Sequence, residues 1–572
     1  MRVADAVVKL LIANDVEIVF GVPGDTSMDF HNAFEKHQNE IQYLSCRDER
    51  HAAYMADTYA RVSGKPGVLD VPSGGGLLYA LPGLSEATAS SIPIVCFSSD
   101  ISTESEGTGA LTELKQEEVS NAVTKWNVTL RKASKTPQVI KKAFRIAASG
   151  RPGAVHISIP EDIHEQEFDF KESDFKKSNY LRHINAPKSE DLKEVAEKIK
   201  ASERPVILAG GGAHLSQAYK VLTDFANKYG IPVATSINGK GCIAETNKHA
   251  VGVIGVNGGT DQSNDVVREA DTVIVLGSKL NNVTTVAKTL LRDDPTIIQV
   301  DMSEEILELN VHTDLAFMCD IQQFLVGLDE ELQESGYSQT SVSWQEFYQD
   351  KVKEKQEQAQ IEADEDSALV NPAKIINCLD KMTDENHLFV VDAGTQNPYM
   401  AAHYKVKKAS RQTVFDRGHG NLGYALSASI GAYYGNSKAS KVFSMFGDGS
   451  FAMSVGELET ARRKNLPIVF MLFQNNAYGW IKKLHQLYHN EEYIAVDFSE
   501  IDGAKIAEGF GLKSKKILNN SDVQPALDWA MEQDGPVFLD FIITPITELV
   551  PPVTNWRADS KKDPKDRRAL TY

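Results

Sequence analysis

The feature that most constrains this chain is the recurrence of short apolar runs that end on small or polar residues. Amphipathic stretches of helical period separate them. VEIVFGVPG, SIPIVCFSS, GAVHISIP, RPVILAGGG, ADTVIVLGS, TIIQVDMS, HLFVVDAGT, KVFSMFGDG, LPIVFMLFQNN and GPVFLDFII all have this form. The runs are apolar at successive rather than alternate positions, so each strand must be covered on both faces. Parallel sheets flanked by helices meet that demand, with right-handed crossovers between strands. The terminal Gly, Asp, Ser and Asn fall at the carboxyl edge, where α/β sheets hold ligands. The expected fold class is α/β with doubly wound parallel sheets.

Two polar stretches interrupt the pattern, at 164–190 and 333–366, and both read as linkers, the second partly helical. They divide the chain into 1–165, 186–330 and 367–550, each long enough for its own core. A tail, 551–572, closes the chain and is expected to be mobile at its end. With 60 Lys and Arg against 79 Asp and Glu, the net charge of −19 argues against a nucleic-acid surface. A small anion remains open, since backbone N–H groups can hold one. The five cysteines (46, 96, 242, 319, 378) are scattered without a CxxC, which fits a reducing compartment, a cytoplasmic location and no zinc site. The opening MRVADAVVKLLIANDVEIVFGVPGD carries acids within its apolar stretch and reads as a helix running into a strand, not a signal peptide. No run approaches the about 18 apolar residues of a membrane span. GGGAHL lacks GxGxxG spacing, which disfavours a nicotinamide dehydrogenase.

One βαβ unit carries chemistry. The strand KVFSMF enters Gly447-Asp448-Gly449-Ser450, SVGELETARRKN reads as helix, and LPIVFMLF enters Asn475-Asn476. A parallel crossover opens both strand ends on one edge, so the Asp448 carboxylate and the Asn476 amide oxygen can meet. Two hard oxygens there suit Mg²⁺, which keeps water and takes phosphate oxygens as further ligands. Gly447 and Gly449 let the backbone approach a diphosphate, and N–H groups near Gly449 and Ser450 can donate to it. Either piece alone is an ordinary turn. Both together, across one crossover, point to metal–diphosphate binding.

GDGS followed by NN after one crossover resembles the signature of the thiamine diphosphate enzymes. The resemblance implies a metal held by Asp448, Asn476 and the main-chain carbonyl of Tyr478. It also implies a glutamate that hydrogen-bonds N1′ of the cofactor's aminopyrimidine, so that the 4′-nitrogen can remove the C2 proton. LSCRDERHAAYMADTYARVSGKPGV is similar to the segment that carries that residue in the family, which places the role on Glu49. Without the resemblance, DER at a helix start reads as a solvated charge run. FGVPGD, with Pro23, resembles the family's opening turn. GRPGAVHISIPEDI resembles the end of its pyrimidine-binding domain, RPVILAGGGAHLSQA and EADTVIVLGSKL its central domain, and VVDAGT and HGNLGYALSASIGA its diphosphate-binding domain. That order is the one found in the acetolactate synthase, pyruvate oxidase and decarboxylase group. It implies three α/β domains and at least a homodimer, extending to a homotetramer, in which a Glu of one subunit serves cofactor held by another. Within HGNLGYAL, Leu422 aligns with the residue that wedges beneath the cofactor, and Asn421 lies beside it. His419 could face the thiazolium or the substrate. Gly394 and Thr395 are expected to contact diphosphate.

Acetolactate synthases are the most similar members, through GRPG, a TKHN-like VTKWN segment with Lys125, and a central GKG. The chain departs from them at Ser73-Gly74-Gly75-Gly76, Leu111-Thr112-Glu113 and Lys279-Leu280-Asn281-Asn282, which leaves pyruvate specificity and FAD binding open. The histidine pair of pyruvate decarboxylases is absent from STESEGTGALTELKQEE, and no His accompanies Pro72-Ser73 as in benzoylformate decarboxylase. The reaction implied is decarboxylation of a 2-oxo acid with transfer of the acyl group to a second carbonyl. Few proton donors can be nominated beyond Glu49, His419 and His51, which favours carboligation. Release of an aldehyde, by a 2-oxo acid or acyl-CoA decarboxylase, is the alternative. A non-catalytic cofactor-binding paralogue is the reading from another class.

Overall fold

The computed structural model describes residues 1–177 and 185–569. Part of the 164–190 linker and the last three residues of the tail lie outside the described residues. The recurrent apolar runs become three six-stranded parallel sheets. The first contains β1 (Ile18–Gly21), β2 (Gln42–Ser45), β3 (Gly67–Val71), β4 (Ile94–Asp100), β5 (Trp126–Thr129) and β6 (Ala154–Pro160), in the order 2-1-3-4-6-5. The second contains β7 (Pro205–Ala209), β8 (Val233–Thr235), β9 (Ala250–Val253), β10 (Thr272–Leu276), β11 (Thr296–Asp301) and β12 (Leu315–Met318), in the order 12-11-10-7-8-9. The third contains β13 (His387–Val391), β14 (Thr413–Phe415), β15 (Lys441–Gly447), β16 (Ile468–Gln474), β17 (Lys513–Ile517) and β18 (Val537–Ile542), in the order 14-13-15-16-18-17. The first and third sheets thus share one winding, while the second reverses direction after its third strand. Central strands such as β3, β7, β10 and β16 are buried at every position, as runs apolar on both faces require.

The helices that bear on function follow from local signals. α1 (Val3–Ala13) feeds β1, the helix-into-strand start expected of the N-terminus. α2 (Glu49–Ser63) is capped by the Asp48 side chain, which accepts from the Arg50 N–H, and stops at Gly64 with φ 71°. α3 (Gly75–Ala89) carries Pro82 in its interior. The stretch expected as a linker at 333–366 forms a packed helix, α4 (Val342–Asp364). Trp344 and Tyr348, four residues apart on one face, sink into an apolar cluster with Val206, Leu208 and Val273 and anchor an otherwise polar helix. Later helices are α5 (Gln396–His403), α6 (Tyr424–Gly435), α7 (Asp448–Ser454), α8 (Glu457–Arg463), α9 (Gly479–Tyr488) and α10 (Thr554–Asp559). The start of the tail is packed, with Val553 and Trp556 buried against Val256 and Leu487.

The chain forms two compact units. One comprises Met1–His183, Asp416–Val442 and Ala452–Ile468, and the other Ile184–Phe415, Phe443–Phe451 and Val469–Tyr572. In the first unit α6 lies against α2. The Tyr424 hydroxyl bonds Thr58 Oγ1 at 2.7 Å, and a Cβ on Gly431 would sit 2.1 Å from the Met55 carbonyl oxygen. Among the described residues no helix is long and apolar enough to cross a membrane, and all five cysteines are buried free thiols.

Candidate active site

The second unit carries the acidic turn. β15 delivers Asp448 to the carboxyl edge as the first residue of α7, and β16, its neighbour in the sheet, delivers Asn475 and Asn476 to the same edge. Asp448 Oδ2 accepts the Asn475 N–H at 2.9 Å, so the crossover does close the gap in sequence. The other carboxylate oxygen, Oδ1, is buried with no partner. Burial pushes the Asp448 carboxyl up to about 6, although N–H groups of the 475–477 turn act in the opposite direction. Asn476 adopts φ 55°, a left-handed conformation that Asn tolerates. Its Oδ1 accepts from Gln474 Nε2 at 3.0 Å, and the Tyr478 carbonyl accepts the Lys482 N–H of α9 at 2.9 Å. Each of those oxygens keeps a second lone pair. The Tyr478 ring, packed edge-on against Phe498, lies so close to Gly449 that a Cβ there would be 2.5 Å from it. Gly449 is therefore required for the acidic turn and the amide turn to close on each other.

The DAGT segment reaches this edge from β13. Gly394 and Thr395 precede α5, and Thr395 Oγ1 and Asn475 Nδ2 both crowd the same side of Gly479. Gln396 and Asn397, which the sequence did not single out, are buried and donate their amide N–H groups to the Asp392 carbonyl at 3.0 and 3.2 Å. Their amide oxygens, with those of Gln474 and Asn475, are buried without partners. Buried polar atoms are rarely left so. A strand edge with one half-satisfied carboxylate and several unpaired neutral oxygens fits a hard cation such as Mg²⁺. Among the described residues no three of His, Cys, Asp and Glu gather, so a cation at Asp448 would draw on neutral oxygens. Gly447 is half-buried and Ser450 buried beside Asp448.

The first unit holds the remaining candidates. Glu49 opens α2, half-buried, and burial raises its carboxyl above the usual range. A Cβ on Gly76 would come within 3.3 Å of Glu49 Oε1, so the Ser73–Gly76 turn borders it. Pro23 is exposed in the turn after β1. His419 is exposed, its Nε2 2.8 Å from Ser85 Oγ. Asn421 donates to the Pro82 carbonyl at 3.3 Å, and Leu422 is only half-buried, unlike a core leucine. His51 does not join them. It is buried, with Nδ1 3.1 Å from Glu457 Oε1, which also accepts the Arg47 N–H at 2.9 Å. Its Nδ1 is engaged by that buried carboxylate, and its Nε2 lies 3.5 Å from Arg50 Nη2.

Comparison with known proteins follows the same lines. Residues 1–119 match the thiamine pyrophosphate enzyme N-terminal TPP-binding domain, 192–328 the central domain and 392–541 the C-terminal TPP-binding domain. The chain is 31% identical to the probable acetolactate synthase large subunit of Methanococcus aeolicus, over 96% of this chain and 94% of that protein. It is 30% identical to the one from Methanocaldococcus jannaschii, over 99% and 97%. It is 28% identical to the acetolactate synthase large subunit of Haemophilus influenzae, over 96% and 95%.

Proposed function

Since the chain belongs to the thiamine pyrophosphate enzymes, as an acetolactate synthase-like member, we propose that it uses thiamine diphosphate and Mg²⁺ to decarboxylate a 2-oxo acid and pass the acyl group to a second carbonyl. The observation that carries this reading is the buried Asp448 carboxylate, half satisfied by the returning amide turn. In this reading Asp448, Asn476 and the Tyr478 carbonyl hold the metal, and Gly394, Thr395, Gly447, Gly449 and Ser450 hold the diphosphate. Pro23, Asn421 and Leu422 would help to bind the rest of the cofactor. Bound thiamine diphosphate supplies the electron sink that lets a 2-oxo acid lose CO₂. Glu49, whose raised carboxyl holds its proton closer to neutral pH, would hydrogen-bond N1′ of the bound aminopyrimidine. His419 is positioned by Ser85 and is the remaining titratable group on the Leu422 loop. The assembly is at least a homodimer, extending to a homotetramer, with Glu49 of one copy serving a second copy's cofactor. The cytoplasm is its location.

The test is reconstitution with thiamine diphosphate and Mg²⁺, followed by a panel of 2-oxo acids scored for CO₂, acyloin and aldehyde. Acetolactate or another acyloin supports carboligation. Aldehyde alone assigns the chain to decarboxylation. No CO₂ from any acid, or undiminished turnover by Glu49→Ala, overturns the reading. The absorbance spectrum of the same preparation decides whether FAD occupies the central domain.

A further inference from the structure

We propose that Glu86 is a positioning residue for the loop Gly418–Gly423, a role that rests on reading that loop as the segment carrying Leu422 to the cofactor. Glu86 lies in α3 with no exposed surface. Its Oε1 accepts the Gly418 N–H at 2.9 Å, Ser90 Oγ at 2.8 Å and Arg61 Nη2 at 3.1 Å, while Oε2 accepts the His419 N–H at 2.7 Å. The same face of α3 supplies Ser85 to His419 and the Pro82 carbonyl to Asn421. Residues 85 and 86 each stand about one turn after 82, so a single helical face holds the loop at three points.

The acceptor geometry shows why a carboxylate stands here. Arg61 Nε donates to Asp57 Oδ2 at 2.7 Å, and all three side chains are buried. Two buried carboxylates share one guanidinium. Buried charge is costly, and glutamine at 86 would fill the same space without it. A carboxylate differs from an amide in offering acceptor oxygens on both sides. Here both sides meet backbone N–H groups of the loop. Burial opposes ionisation of Glu86, yet Arg61 and the His419 and Gly418 N–H groups outweigh it and hold the carboxyl below its usual range. Burial pushes the neighbouring Asp57 up instead. Gly418 is matched to this arrangement, since a Cβ there would lie 2.7 Å from Oε2.

The test compares Glu86→Gln, Gly418→Ala and the double variant in the full-length protein. In the apoprotein, amide hydrogen exchange within 416–423 should quicken by about tenfold or more in each variant. In the reconstituted enzyme kcat should fall by about ten- to a hundredfold, the scale of a misplacement of about 1 Å. The Kd for thiamine diphosphate and the substrate KM should stay within about twofold, with the melting temperature of Glu86→Gln unchanged or raised. The double variant should be no slower than the slower single one. Unchanged exchange and kcat in Glu86→Gln would overturn the proposal. So would parallel losses of melting temperature, cofactor affinity and kcat, which mark a merely structural residue. If the wild type turns over no 2-oxo acid, the proposed function falls, and the exchange measurement still decides whether Glu86 holds the loop.

Discussion

Asp448→Asn should stabilise the apoprotein while removing its response to metal. Asp448 is 5% exposed, and burial moves its carboxyl from an ordinary 3.8 to about 6. That displacement is worth ~3 kcal/mol between the protonated and ionised native forms. The native state binds more protons than the unfolded chain between these two values. The group's stabilising contribution is therefore complete below pH 3.8 and is lost as pH rises through 6. Asparagine cannot ionise and escapes this loss. Its oxygen can still accept the Asn475 N–H, whereas its amide group replaces the unpartnered Oδ1 and leaves a donor unmet, at about 1 kcal/mol. The net gain at pH 7 is about 1–2 kcal/mol. Its advantage over the wild type should widen by about 1 kcal/mol between pH 5 and pH 7. Asp540 is also pushed up to about 6 by burial, so the difference between the two proteins is the quantity to follow, not the wild-type curve alone. The assay is urea unfolding of chelator-treated, cofactor-free protein at several pH values. Adding Mg²⁺ with thiamine diphosphate should then stabilise the wild type, more strongly at higher pH, and leave the variant unmoved. A variant less stable than wild type at pH 7, or a gap independent of pH, would refute the account of Asp448 as a destabilised ligand.

Glu49→Gln should lower turnover by roughly 10²–10⁴-fold, the span of general acid–base catalysis, while cofactor binding followed by intrinsic fluorescence persists. Gly449→Ala would place a Cβ 2.5 Å from the Tyr478 ring and force the two turns apart. Cofactor affinity in the presence of Mg²⁺ should weaken about tenfold by calorimetry, the effect of losing about 1.4 kcal/mol. Lys240 is wholly buried, paired with Glu245, and donates to the Tyr404 carbonyl at 2.7 Å. Lys240→Met should cost about 1–3 kcal/mol in urea unfolding, since Glu245 loses this partner but keeps the charge of Lys355 and the Val406 N–H.

Much of the architecture was legible because burial on both faces of a strand leaves its mark in consecutive apolar residues. The approach of Asp448 to the amide turn was legible because a parallel crossover fixes which strand ends share an edge. Long-range packing was not. Nothing local in Glu86 marks it as the acceptor for Gly418, 332 residues away in sequence. Trp344 and Tyr348 turn a polar stretch into a packed helix through contacts with strands far upstream. The helix expected in SVGELETARRKN is α8, but the sequence did not show the separate short helix α7, which begins at Asp448 ahead of it. The buried amides of Gln396 and Asn397 looked like any turn residues, and their unpaired oxygens emerge only once the surrounding shell is known. His51 stands two residues after Glu49 in sequence, yet two residues along a helix rotate the side chain by about 200°, toward Glu457.

The first compact unit is assembled from three separate stretches of chain, the last of which ends at Ile468. On the ribosome, the face of α2 that receives α6 must wait for residues beyond 423 to emerge. At about 5–20 residues per second that delay lasts tens of seconds. Through that interval the nascent chain displays an alanine-rich helix surface that the finished unit buries, which makes the N-terminal stretch a poor candidate for expression on its own.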